Sequence, residues 1–248
     1  MPDYNQMLYA IEVHSVGGIR QYFEEGGHPD EVHNGVPLFT TMVEMYMRSP
    51  RFKDCIRVFI ENGLQFEDKP LLSVLADDAS ALERYIKDDP SLINKKYSLF
   101  NNTFTPLIGS TLLHFCAEYN HVDCASILVT NGADINAKAG LDEHGFGGHT
   151  PIFHTVCQNL HASKEMLYYL LDRSVDLNVT VKGLVWGKGY EWETFIPAVN
   201  PISYAMMGLL PQIHRNPFVT TEVVELLIKR AYGIDYKIPN VPNAYLGK

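Results

Sequence analysis

The stretch that decides the fold covers residues 109–138 and reads GSTLLHFCAEYNHVDCASILVTNGADINAK. It predicts a short helix opened by a threonine cap, a tight turn at Asn120-His121, a second short helix, and a closing Gly-Ala-Asp-Ile-Asn loop. Asparagine tolerates the left-handed backbone that such a turn needs. Helices this short are marginal in water, so the unit has to be stabilised by packing on neighbouring units.

This pattern resembles the ankyrin repeat, and a second strong copy covers residues 148–178. Looser copies occur at 36–94 and 200–235. Because one ankyrin unit cannot bury its apolar face alone, the resemblance implies an all-α solenoid of about five to six helix-turn-helix repeats with long loop insertions. We expect a single solenoid over residues 1–236, followed by an extended tail at 237–248. Its units are a cap repeat at 1–35 and repeats at 36–68, 69–108, 109–147, 148–199 and 200–236.

The spacing of the copies predicts insertions. The turn residue recurs at positions 37, 70, 112, 151 and 201, so the steps are 33, 42, 39 and 50 residues, against a family period of about 33. The surplus falls at about 95–108, 139–147, 179–199 and 208–219. Insertions of this kind usually map to loops on one face, often the binding face. The pattern predicts no regular strands, although short β-type pairing fits the long insertions.

Composition sets the wider bounds. The 248 residues are 46% hydrophobic, which is ample for a core, and carry a formal net charge of −9. That charge argues against a nucleic-acid partner. The N-terminus lacks a basic region followed by an apolar run, and no run approaches 18 apolar residues, so we expect no signal peptide and no membrane association. The default expectation is a soluble, cytoplasmic monomer.

The four cysteines show no CxxC spacing, and we interpret them as buried free thiols that act as small hydrophobic side chains. They are Cys55, Cys116, Cys124 and Cys157. A zinc site would need a tighter cluster. A nucleophile pair formed by Cys157 and His154, three residues apart on one helix, stays open.

Histidines are unusually dense in one repeat, where His144, His149, His154 and His161 occur close together. The ankyrin resemblance assigns His114 and His121, in the preceding repeat, to turn hydrogen bonds, and His149 to a variable, surface-facing position. His144 and His154 have no such assignment. A metal cluster made from these side chains would suit zinc, copper or nickel, but the spacing specifies no ligand set, so we predict no metal site and no cofactor.

The resemblance implies a non-catalytic scaffold or adaptor that binds a protein or peptide partner through its concave face and inserted loops. Both tryptophans lie in the insertion at 179–199, where Trp and Tyr can supply large contact areas; folding back onto the solenoid is the other reading of these aromatics. No catalytic residue is predicted. The predicted partner-binding residues are Ser110, Glu118, Tyr119, Phe146, His149, Gln158, Trp186, Tyr190 and Trp192.

One alternative is an enzyme, or a small-molecule or metal sensor, with a pocket between the His-rich loop 142–154 and the aromatic loop 186–195. A deep cleft between the two loops would favour this alternative, and a filled, flat groove would favour the interaction module. Another alternative is an inhibitor of an enzyme, in which the acidic charge steers a basic target.

Overall fold

The computed structural model describes residues 2–100, 103, 105–157, 162–187, 189, 191, 193–207 and 216–239. About half of the chain is helical. The α-helices in these ranges are α1 (Tyr4–Glu12), α2 (Val16–Glu24), α3 (Leu38–Glu44), α4 (Phe52–Glu61), α5 (Lys69–Leu75), α6 (Ala79–Asp88), α7 (Leu112–Tyr119), α8 (Val122–Thr130), α9 (Phe153–Val156), α10 (Lys164–Leu171), α11 (Pro201–Met206) and α12 (Pro217–Tyr232). A short 3-10 helix, Pro90–Asn94, follows α6.

Successive helices pair and the pairs pack in chain order. α5 contacts α6, α7 contacts α8, α9 contacts α10, and α11 contacts α12. The first helices of these pairs also contact one another in the order α5, α7, α9, α11, and the second helices do so in the order α6, α8, α10. Helix-turn-helix pairs are therefore present from α5 to α12, and each pair packs against the next.

Left-handed residues make the tight corners between paired helices. His14, Asp77 and Asn120 have φ angles of 48°, 51° and 61° and lie at the α1–α2, α5–α6 and α7–α8 corners. The prediction for Asn120 is confirmed. Its side chain also connects the corner to the next pair, because Oδ1 accepts the Met166 backbone N–H at 2.9 Å and Nδ2 donates to Glu165 Oε2 at 2.6 Å.

The hydrophobic core is continuous from α1 to α12. Its largest fully buried side chains include Phe52, Phe59, Phe115, Phe153 and Tyr204. All four cysteines are buried thiols, which confirms their assignment as small core residues. Burial raises the pKa of the Cys55 thiol to about 12, so this sulfur is protonated and unreactive near neutral pH.

Two hairpins correct the all-α prediction. β1 (Val32–His33) pairs with β2 (Val36–Pro37), and β3 (Val181–Trp186) pairs with β4 (Thr194–Val199), both antiparallel. The second hairpin lies in the 179–199 insertion, where short β-type pairing fits the sequence. The first was missed although Asn34-Gly35 is a strong hairpin signal; both residues have positive φ, 51° and 79°.

No helix among the described residues is long and apolar enough to cross a membrane.

Substitutions at Asn120 separate the backbone and side-chain contributions of the corner. Asn120→Gly keeps the left-handed conformation but loses both bonds to α10, so we expect a loss of about 1–2 kcal/mol. Asn120→Ala also places a β-carbon in the left-handed region, which adds roughly 1 kcal/mol. Urea unfolding of both variants measures the difference, and equal midpoints for the two would show that the backbone conformation contributes nothing.

Candidate functional site

The insertions at 95–108 and 139–147 lie side by side. The Gly140 N–H donates to the Ile108 carbonyl at 2.9 Å, and Lys96 Nζ donates to the Lys138 carbonyl at 2.8 Å. The two backbones approach so closely that a β-carbon added to Gly109 would lie 2.5 Å from Gly140 Cα. Only glycine permits this approach.

The 139–147 insertion in turn joins the β3–β4 hairpin. The Gly147 N–H donates to the Gly183 carbonyl at 2.9 Å, and the Phe146 and Phe195 ring centroids are 4.5 Å apart. The Phe195 ring also lies over Gly183, where a β-carbon would come within 2.3 Å of Phe195 Cε2. Three consecutive insertions thus form one continuous side of the molecule.

One face of the hairpin is buried. Leu184, Trp186 and Ile196 point inward, and Trp186 Nε1–H donates to the Tyr204 hydroxyl on α11 at 2.7 Å. That hydroxyl is also 3.0 Å from Thr105 Oγ1 in the 95–108 insertion. The tryptophan is therefore a structural anchor between insertions and helix, with its N–H satisfied as a buried indole requires.

The opposite face of the hairpin points to solvent. Because side chains alternate along a strand, Val185, Phe195 and Pro197 lie on this outer face. Phe146 of the neighbouring loop contacts Phe195, and Leu141 is a further exposed apolar residue of that loop; Phe195 is 46% exposed and Leu141 is 62% exposed. We call these five residues the hairpin face. Apolar side chains exposed together in this way mark interaction sites more often than scattered single ones do.

The free edge of β4 is poorly suited to pairing with another strand. The Gly183 carbonyl accepts from Gly147 and therefore points away from β4. Gly183 and Pro197 are opposite each other, so they form a pair without mutual hydrogen bonds. The backbone groups of Pro197 therefore point away from β3, toward the free edge. Proline has no N–H, and it is tolerated in a sheet at such an edge position. Contacts made by this hairpin are therefore expected through its face.

Five of the predicted partner-binding residues are buried, so the expectation that their side chains are exposed is wrong. They are Ser110, Glu118, Tyr119, His149 and Trp186, and their role in partner binding stays a prediction. Phe146 is half-buried in the hairpin face. Gln158, Tyr190 and Trp192 lie outside the described residues. The placement of His149 at a surface-facing position is also wrong, since it is 1% exposed.

A buried ion pair explains the burial of Glu118. Arg48 Nε donates to Glu118 Oε1 at 2.8 Å, and Nη2 lies 2.7 Å from the same oxygen. Glu118 Oε2 accepts from His154 Nδ1 at 2.7 Å. Burial would raise the pKa of the Glu118 carboxyl, but the Arg48 charge and the His154 hydrogen bond outweigh it and lower that pKa, so the carboxylate stays ionised.

Arg48 reaches Glu118 because the α3–α4 connection is long. Residues 45–51, here called the strap, replace the tight corner of other pairs, and Arg48 Nη1 donates to the Met45 and Met47 carbonyls within it. At its ends, Tyr119 OH donates to the Val43 carbonyl at 2.9 Å and the Tyr119 ring stacks on Phe52 with centroids 4.1 Å apart. The strap therefore covers Glu118 and Tyr119.

The histidines form a connected buried cluster. The Thr111 backbone N–H donates to His114 Nδ1 at 3.1 Å, so the proton of His114 is on Nε2, which donates to the His149 carbonyl at 3.2 Å. His149 Nε2 is 3.2 Å from His154 Nε2. His121 is bonded to the Val74 carbonyl. The turn roles predicted for His114 and His121 are confirmed, and His154 is explained by its bond to Glu118.

The geometry does not favour a ligand pocket between the two loops or a metal site among the described residues. The two loops of the proposed pocket touch directly through Phe146 and Phe195. Among the described residues no group of three or more His, Cys, Asp or Glu side chains has metal-binding geometry; His161 lies outside them. His144 is exposed near Glu143, with 3.7 Å between Nε2 and Oε1.

Comparison with known families agrees with the helix pairing. Residues 74–181 match the family model for ankyrin repeats, in three copies. Residues 74–181 therefore carry ankyrin repeats. The matched range contains α6 to α10 and two of the three joined insertions, so the ankyrin segment includes the loop that presents Leu141 and Phe146. A search of curated proteins finds no match. Ankyrin repeats generally mediate protein–protein interaction and are typically not enzymes.

The buried histidines predict a stability that falls in mild acid. Burial lowers the pKa of His14 and His121 to about 4 and that of His114 to about 3. These pKa values lie below the unfolded value of about 6.5, so the unfolded chain binds more protons and stability is lost as pH falls from about 6.5 toward 4. We expect up to about 3 kcal/mol from His121 alone.

Thermal unfolding between pH 7.5 and 4.5 measures this dependence. His121→Asn should flatten the slope of stability against pH in that window, whereas His144→Gln, which changes an exposed ring, should leave the slope as it is. An unfolding temperature that stays constant from pH 7 to 5 would contradict the burial of neutral histidines.

The ion pair predicts a non-additive pair of substitutions. Arg48→Met leaves the Glu118 carboxylate buried with the hydrogen bond to His154 as its remaining polar contact, and we expect a loss of about 3–5 kcal/mol. Glu118→Gln in the same chain removes the uncompensated charge and should recover part of this loss. Urea unfolding of the two single variants and the double variant measures the coupling. A loss under about 1 kcal/mol for Arg48→Met would be typical of a surface pair and would contradict the buried bridge.

Proposed function

We propose that this chain is a non-catalytic protein–protein interaction module, built as a single ankyrin-repeat solenoid that binds its partner through the hairpin face. The observation that carries the proposal is the exposed apolar cluster on the joined insertions, centred on Phe195 and Leu141. Burying exposed apolar area contributes about 25 cal/mol per Å², and aromatic side chains are the residues that most often dominate binding energy at interfaces.

The rigidity of this face supports the proposal. Phe195 is held over Gly183, Phe146 is held against Phe195, and Trp186 anchors the hairpin to Tyr204. Side chains fixed before binding lose less conformational freedom when a partner arrives, so more of the contact energy appears as affinity. An insertion that only covered the helices would gain no stability from the solvent-exposed part of the Phe195 ring.

The burial of the concave positions also supports a contact surface on the insertions. The positions that commonly contact partners in ankyrin repeats include Glu118 and Tyr119, and here the strap covers both. The contact surface that we propose therefore lies on the insertions, and the concave positions have a structural role. The cytoplasmic location and the monomeric state stay predictions.

An affinity experiment with a matched control tests the proposed surface. Tagged wild-type protein, a Leu141→Ser/Phe195→Ser variant and a Tyr168→Ser variant are used to capture partners from native lysate, with identification by mass spectrometry. Tyr168 is a suitable control because it is a 41% exposed aromatic on α10. We expect the same proteins with wild type and Tyr168→Ser, and at least tenfold less of them with the hairpin variant, as for loss of a binding hot spot.

Equal capture by all three proteins would overturn the hairpin face as the contact surface. Circular dichroism and unfolding midpoints of the hairpin variant, compared with wild type, show whether a loss of capture comes from the surface or from misfolding. Leu141 is exposed, whereas Phe195 packs against Phe146 and over Gly183, so we expect the variant to stay folded with a loss of up to about 1 kcal/mol.

A further inference from the structure

The chemistry of the hairpin face suggests what kind of partner it accepts; this inference rests on the proposed function. The centre of the face is apolar and offers no side-chain hydrogen-bonding group, since it consists of Leu141, Phe146, Val185, Phe195 and Pro197. A partner that covers it has to supply apolar side chains, because a polar group placed there would lose its water without finding a hydrogen-bond partner.

The charges beside this centre are acidic. Asp142 and Glu143 are in the turn that leads to Phe146, and Glu193 precedes β4 by one residue. Asp142 Oδ1 accepts the His144 and Phe146 backbone N–H groups at 2.9 Å each, which fixes the turn. Glu193 Oε2 accepts from the Gly189 N–H at 2.7 Å. Asp142 and Glu193 are thus fixed by backbone hydrogen bonds, and Glu143 is exposed beside Asp142.

The nearest described lysines do not balance this acidic rim. Lys182 is on β3, but strand alternation places it on the side opposite to Val185 and Phe195. Lys138 lies at the base of the loop, where its carbonyl bonds to Lys96. The chain as a whole carries a formal net charge of −9. A basic partner is therefore favoured both by the local rim and by the long-range field.

The edge of β4 bears on the mode of binding. Strand addition needs an alternating row of outward N–H and C=O groups, and Pro197 interrupts that row. A partner held by backbone pairing along this edge would lose a hydrogen bond at the centre of the face. Side-chain contacts to the face and ion pairs at its rim are the interactions that remain.

We propose that the hairpin face binds a protein segment that presents one or two aliphatic or aromatic side chains flanked by lysine or arginine. The apolar side chains cover Phe195 and Leu141, and the flanking cations lie next to Glu143 and Glu193. A second copy of this chain fits less well, because two acidic rims would face each other and each copy carries the same negative charge.

A random 12-residue peptide library displayed on phage is the probe. Selection on the wild-type protein, with subtraction on the Leu141→Ser/Phe195→Ser variant, enriches peptides that need the hairpin face. We expect the enriched peptides to share an aromatic or aliphatic residue with lysine or arginine within two or three positions of it. Fluorescence anisotropy of one synthetic peptide then gives its Kd for each variant.

The variants separate the apolar and the charged contributions. Phe195→Ser should weaken binding by at least about tenfold. Glu143→Gln/Glu193→Gln should weaken it by about 2- to 10-fold and reduce its salt dependence, as expected for exposed ion pairs. Glutamine at 193 keeps an acceptor for the Gly189 N–H, so the loop is preserved. Tyr168→Ser should leave the Kd unchanged.

Four results would overturn the proposal. Enriched peptides without basic residues, or an affinity insensitive to the glutamine variants, would contradict the partner chemistry while leaving the proposed interaction surface intact. No enriched peptide that depends on Phe195 would also contradict it, and the lysate capture experiment then shows whether the surface itself is wrong. Concentration-dependent dimers in sedimentation, abolished by Phe195→Ser, would assign the face to a second copy of the chain.

Discussion

Most of the helices in this chain have ten residues or fewer, and helices of that length are not stable alone in water. Each one therefore has to bury its apolar stripe on its neighbours, and the rest of the structure follows from this constraint. The first helices of successive pairs pack on one another, and so do the second helices. The hydrophobic core therefore extends without interruption from α1 to α12. Because the stability comes from helix packing, the connections between helices can lengthen without disrupting that packing. The inserted segments therefore accommodate a β-hairpin and an exposed apolar face.

The buried ion pair between Arg48 and Glu118 has a desolvation cost. Removing two charges from water is unfavourable, and the attraction between them offsets that cost only where the remaining hydrogen bonds are also made. Glu118 meets this condition, with Arg48 on one oxygen and His154 on the other. Arg48 in turn donates from Nη1 to carbonyls of its own strap. The result is a polar network that buries Glu118, one of the residues predicted to contact a partner.

Much of the fold was readable from local pattern, and much of the site was not. The threonine cap and the left-handed Asn120 depend on neighbours within a few residues, and Cys116 and Cys124 lie at apolar helix positions, so the segment at 109–138 predicted them correctly. The Asn34-Gly35 hairpin had a local signal that the ankyrin pattern obscured. Burial of Glu118 depends on Arg48, 70 positions away, and no periodicity reveals such a pair. The hairpin face required the register of β3 and β4, because a shift of one residue would have turned Phe195 inward.

The strap has a consequence for how the molecule unfolds. Stacked repeats are usually described as a one-dimensional array in which each unit interacts only with its immediate neighbours, so that ends fray one unit at a time. Here Arg48, in the connection of the α3–α4 pair, bonds to Glu118 at the end of α7, and the α5–α6 pair lies between them in the chain. This contact passes over one unit, so loss of the α3–α4 pair exposes a buried carboxylate in the middle of the array. Partly unfolded states therefore have a higher free energy, and we expect the region from α3 to α7 to unfold as one cooperative unit.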